Sequence, residues 1–183
     1  FVVSCIYFVS KIIFYKNGGF LIEWLLVGAL IALAFLSKYQ AYFFGLSLLT
    51  YFIFWKREIL FSKKFAISFL IASMGLAPVI IWNFNNEFSS FLFHQERSSF
   101  NVHPDRFLLL LLAQLFFILP STGVAIFISF YYRQKNEQKN TRTFFYILAL
   151  PPIVFFNLVN LFSSNSFAHW SMIGWMLLIP LCA

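Results

Sequence analysis

Long apolar runs alternate with short polar clusters along the chain, and the clusters mark where one element ends and the next begins. Phe1 to about Tyr15 is apolar and stops at Lys16-Asn17-Gly18-Gly19. Phe20 to Trp55 is broken only by Glu23 and Lys38. As one helix this stretch would be roughly 54 Å long, too much for one crossing of a bilayer. It therefore predicts two short spans meeting at Ser37-Lys38-Tyr39-Gln40. Further spans are expected from about Phe65 to Trp82, Phe107 to Tyr132 and Thr143 to Phe162, with a last one starting near Ser171. Each run approaches the ~20 residues that cross a hydrocarbon layer. The expected fold is an all-α polytopic transmembrane bundle of about seven segments, the first and last truncated, forming one domain over residues 1–183.

Composition agrees with that pattern. Hydrophobic residues make up 61% of the chain and charged residues 10%. A water-soluble domain carries roughly 25% charged residues, because its surface faces water. Phe1 replaces a starting Met inside an apolar run, and the residues from Met176 to Ala183 stop partway through another. An internal fragment of a longer protein is the expectation. Cys5 and Cys182 lie in apolar segments and match neither a disulfide framework nor a zinc motif.

The net charge of +7 is distributed as a topology signal rather than as a nucleic-acid footprint. One set of loops holds Lys11, Lys16, Lys56, Arg57, Lys63, Lys64, Arg133, Lys135, Lys139 and Arg142, ten of thirteen basic residues. The other holds Lys38, Arg97 and Arg106. Only two spans within 20–55 preserve this alternation, which places 84–106 and 163–170 outside the cytoplasm. Trp24, Trp55, Trp82 and Trp170 fall at span ends, where amphipathic rings prefer the headgroup zone. The bilayer is thus a partner and nucleic acid is not.

Candidate chemistry gathers on the outer side. Lys38 either faces an aqueous cavity and binds an anion such as phosphate, or snorkels from a helix end to the interface. The loop from Asn83 to Arg106 mixes five phenylalanines with His94, Gln95, Glu96, Arg97, His103 and Asp105. Glu87 to Arg97 could form an interfacial amphipathic helix, with His94 and Arg97 toward a polar cavity. His94-x-Glu96 and His103-x-Asp105 could supply ligands to a divalent metal, but no recognised metal motif is matched, and no cofactor is assigned. Asn165, His169 and Trp170 form a second outer loop. Pro78, Pro120, Pro151-Pro152 and Pro180 suggest broken helices around a cavity.

Three blocks carry a resemblance. LVGALIALAFLSKYQAYFFGLSLLTYF (26–52) resembles the Gly-rich "GLxLGLAxLSKY" segment of bacterial membrane glycosyltransferases of family 39. That group is related to the protein O-mannosyltransferases and the aminoarabinose transferase of lipid A. APVIIWNFNNEFSSFLFHQERSSF (77–100) is similar to the family's P-x-x-I-W-N stretch, and LFSSNSFAHWSMIGWMLLIP (161–180) to its later outer loop. His94 and His169 depart from the residues usual at their positions. The resemblance implies a GT-C fold in the bacterial inner membrane, with its site facing the periplasm or exterior. It implies transfer of a sugar from a polyprenyl-phosphate donor to a lipid, glycan or protein acceptor. The family's catalytic Asp lies in a first outer loop, upstream of these residues. Displacing a prenyl phosphate leaves charge on the phosphate, which fixed cations stabilise. Lys38 and Arg97 are accordingly assigned to the donor phosphate. Tyr39, His94, Gln95, Glu96, His169 and Trp170 are candidates for the substrate cavity. A secondary transporter or lipid flippase is the alternative, although neither mid-span charges nor a repeated half is visible.

Overall fold

The computed structural model describes residues 1–15, 18–90, 92, 102, 104–118, 123–126, 128, 139–163 and 167–182. They are almost entirely helical and fall into two units, residues 1–89 and 90–183.

The first unit opens with α1 (Val2–Ser10), which runs on into a wider π turn over Lys11–Tyr15. Gly18 and Gly19 then take positive φ values of 86° and 63°, a region that L side chains avoid. The chain turns there and enters α2 (Leu21–Ser37). Helix α2 stops where the sequence predicts. Lys38 is extended (φ −155°, ψ 136°), and α3 (Ala41–Trp55) starts afresh after Gln40. A short α4 (Arg57–Leu60) leads to α5 (Lys63–Met74) and α6 (Ala77–Asn85). Ser62 caps α5 by accepting the Phe65 N–H at 3.1 Å.

Helix α2 is the hub, packed against α1, α3 and most extensively α5. Two glycines set the α2–α5 approach. A Cβ on Gly28 would lie 2.5 Å from the Ser68 carbonyl oxygen, and one on Gly75 2.6 Å from the Ala32 Cα. Small residues that let backbones meet are how helices associate without a water-driven hydrophobic force. Trp24, in the first turn of α2, is buried, with its ring 6.3 Å from Phe52 and 6.0 Å from Phe65.

In the second unit, α7 (Pro104–Phe117) and the 24-residue α8 (Lys139–Phe162) pack together. A 3₁₀ turn (Ala168–Ser171) leads into a short α9 (Met172–Met176) and a second 3₁₀ turn (Ile179–Cys182). Helix α8 carries Pro151 and Pro152 in its interior, where each removes a backbone donor. Helix α9 packs against α8 beside that point, and a Cβ on Gly174 would lie 2.7 Å from the Ala149 carbonyl oxygen.

Among the described residues, Lys63–Asn85 and Asn140–Phe162 are long and apolar enough to cross a membrane. Val2–Phe14, Leu21–Ser37, Ala41–Trp55 and Phe107–Phe116 are shorter apolar helices. The expectation of about seven membrane segments, the first and last truncated, is thus met only in part. The span expected over Phe65–Trp82 is a stepped pair, α5 and α6, with a turn at Gly75-Leu76. The last span is not one helix over its described residues but two 3₁₀ turns flanking α9.

The interfacial helix expected from Glu87 needs correction at its start. Glu87 and Phe88 have φ values of 52° and 56°, and the Phe88 N–H donates to the Asn83 carbonyl at 2.8 Å. Those contacts close off α6 instead of opening a helix at Glu87. Ser89, Ser90 and Leu92 are helical again.

Candidate functional site

The α2–α3 corner presents Lys38 at the surface of the first unit. Its N–H donates to the Ala34 carbonyl at 3.1 Å, ending α2, while its carbonyl accepts the Ala41 N–H at 3.0 Å to begin α3. The side chain is exposed and makes no ion pair among the described residues. Tyr39 beside it is 43% exposed, and its ring lies 5.9 Å from Tyr42.

An apolar groove of ≈ 390 Å³ runs through this unit. Its lining reaches from Trp24, Phe52 and Phe65 to Phe35, Tyr42 and Leu76. Phe35 and Tyr42 flank the Lys38 corner in sequence, and their rings meet edge-on at 4.8 Å. Gly45 keeps the groove open at that pair, since a Cβ there would lie 2.8 Å from the Phe35 ring. The Tyr42 hydroxyl is buried with no hydrogen-bond partner among the described residues. A buried hydroxyl without a partner is costly in an apolar wall, so this one is suited to a polar group entering the groove. Lys38 does not line the groove.

At the other end of α2 an ion pair joins helices, with a buried carboxylate and a half-buried lysine. Glu23 is 4% exposed. Its Oε1 lies 3.0 Å from Lys11 Nζ, and its Oε2 accepts the Phe20 N–H at 2.9 Å. The Trp24 indole donates to the Gly18 carbonyl at 2.8 Å, and Lys64 Nζ to the Gly19 carbonyl at 2.6 Å. Sequence reasoning marked Glu23 only as an interruption. The signal was present: a single acid in an apolar run needs a cation at the same depth.

In the second unit, His169 is exposed on the 3₁₀ turn, stacked on Phe167 at 5.5 Å. Trp170 meets Phe167 at 5.9 Å and Phe156 at 6.3 Å. His169 and Trp170 therefore share one aromatic cluster. Below it lies a polar network the sequence reading missed. Gln114 Oε1 accepts from Ser171 Oγ (2.6 Å), Trp175 Nε1 (3.0 Å) and Asn157 Nδ2 (3.3 Å), and Gln114 Nε2 donates to Asn157 Oδ1 at 2.9 Å. Asn160, fully buried on α8, has neither amide atom paired among the described residues. The candidates His94, Gln95, Glu96 and Arg97, and the possible metal ligand His103, lie outside the described residues.

No curated protein and no solved structure matches the chain. Residues 1–82 match the family model described as dolichyl-phosphate-mannose-protein mannosyltransferase. The match takes in α1 to α5 and most of α6, and with them the groove and the Lys38 corner. It bears out the resemblance carried by residues 26–52: over this stretch the chain is similar to membrane glycosyltransferases of the mannosyltransferase type.

Proposed function

We propose that the chain is part of a membrane glycosyltransferase that takes its sugar from a polyprenyl-phosphate donor at the outer membrane face. The observation that carries this reading is the apolar groove whose lining reaches the two residues flanking Lys38. An isoprenoid chain is flexible, branched and apolar, and an aromatic-lined groove in a helix bundle suits it. Its phosphate would sit at the corner, within reach of the Lys38 ammonium on its flexible stem. The Tyr42 hydroxyl would donate to a phosphate or pyranose oxygen. In the transfer, the acceptor hydroxyl oxygen bonds to the anomeric carbon while the bond from that carbon to the phosphate oxygen breaks. The phosphate leaves with the electron pair, and the acceptor's proton passes to a carboxylate base of the full-length protein. Lys38 stabilises the charge that builds on the leaving oxygen. Arg97, assigned on sequence as a second cation for that phosphate, is tested separately by Arg97→Ala.

The decisive experiment measures transfer from a lipid-linked sugar by the full-length protein. Lys38→Ala is expected to lower kcat by about a hundredfold, in the range for loss of one oxyanion-stabilising donor. Near-wild-type transfer would remove Lys38 from the reaction. Ser73→Trp fills the groove and is expected to raise KM for a long-chain donor more than for a short-chain one. An equal effect on both would mean that the groove does not hold the chain.

A further inference from the structure

A second cavity, of ≈ 500 Å³, opens at the N-terminal end of α2, the opposite end of that helix from Lys38. At 1.5 Å per residue, the 17 residues of α2 separate the two places by about 26 Å. Its lining combines apolar residues, Ile12, Ile13, Trp24 and Ile59, with polar ones. Among the latter are Lys56, Lys63 and Lys64 and a single carboxylate, Glu58. That carboxylate neutralises little, because it is 71% exposed and 3.8 Å from Lys56. Lys64 is oriented by the Gly19 carbonyl at 2.6 Å, an uncharged acceptor that fixes the ammonium and leaves its charge uncompensated. Lys63 opens the 12-residue α5, whose dipole adds positive potential at the same place. Lys11 differs, since Glu23 at 3.0 Å already answers its charge.

We propose that this cavity binds the phosphate of an anionic phospholipid headgroup, with the glycerol and the first acyl carbons against the apolar residues. A phosphate beside two or three ammonium groups is held by charge-assisted hydrogen bonds. The apolar residues separate the two possible sources of such a group. A lipid would use them, whereas a free phosphate gains nothing from Ile12, Ile13 and Ile59. The position also fits, because basic pockets between helices at a membrane surface are where anionic headgroups collect.

The test counts lipids retained by the purified full chain, released from micelles of a neutral detergent, by native mass spectrometry. Phosphatidylglycerol and phosphatidylcholine are titrated in parallel into wild type, Lys63→Gln, Lys56→Gln and the double variant. Neither substitution removes a packing contact of an apolar side chain, and thermal unfolding confirms that each variant is folded. Phosphatidylglycerol is expected to bind more tightly than phosphatidylcholine. Each substitution should weaken it about fivefold and the pair about twenty-five-fold, leaving phosphatidylcholine unchanged. Equal binding of the two lipids, or undiminished phosphatidylglycerol binding in the double variant, would overturn the site. Displacement of the lipid by low-millimolar inorganic phosphate would overturn the lipid as occupant and assign the cavity to a soluble phosphate.

Discussion

At the scale of single residues, glycines and lone charges decide more than the abundant phenylalanines do. Gly28 and Gly18 separate two reasons for a glycine. A Cβ on Gly28 meets the Ser68 carbonyl oxygen at 2.5 Å, so Gly28→Ala must push α2 and α5 apart. A better helix propensity returns up to about 1 kcal/mol, while overpacking a tight contact costs about 1–3 kcal/mol, so a net loss of stability is expected. At Gly18 a Cβ would meet nothing within 4 Å, yet φ is +86°. Gly18→Ala therefore costs about 1 kcal/mol from backbone strain alone. Thermal unfolding in detergent checks both, and no loss at Gly28 would mean that the helices can part without cost. The Lys11–Glu23 pair makes a companion case. Lys11→Met withdraws a cation from a carboxylate only 6% exposed and should lower the melting temperature, whereas Glu23→Gln keeps the acceptor for the Phe20 N–H and should cost less.

Elements obey the apolar pattern where a polar residue can reach an interface, and depart from it where packing intervenes. The α2–α3 break was legible because Lys38 and Tyr39 stand where a helix of full length would overrun the membrane. The step at Gly75-Leu76 was legible in part, because Pro78 opens α6 and lacks the N–H that would continue α5. Gln114 was passed over. A lone amide in a leucine-rich helix gains meaning only when Ser171, Trp175 and Asn157 arrive from elsewhere in the chain. In membranes such bonds are worth roughly 0.6 kcal/mol each, so Gln114→Leu, which breaks the three at Oε1 and the one donated by Nε2, should cost about 2.4 kcal/mol. Asn157→Leu loses its Gln114 bonds but leaves Ser171 and Trp175 satisfied at Oε1, and should cost less. Equal costs, measured by unfolding in mixed micelles, would show that Ser171 and Trp175 gain nothing from Gln114.

For the molecule in its membrane, charge placement is the strongest constraint, and the first unit now gives it a geometry. Lys11, Lys56, Lys63 and Lys64 gather at one end of the helices, around the Gly18-Gly19 turn, while Lys38 follows the other end of α2. If α2 and α3 are two crossings, those ends lie on opposite faces of the bilayer, with the lysine-rich end in the cytoplasm. If they fold back within one leaflet, both ends share a face. Their lengths of 17 and 15 residues leave either geometry open, since both are a few residues short of a full span. The proposed donor site requires the crossing, because a fold-back would put Lys38 on the same face as the basic cluster. Single cysteines at positions 38 and 57, in a Cys5→Ser, Cys182→Ser background, distinguish the two. A membrane-impermeant maleimide added to intact cells should label Lys38→Cys and spare Arg57→Cys until the membrane is permeabilised. Labelling of both from one side would refute the crossing of α2 and α3, and with it the placing of Lys38 at an outward-facing donor site.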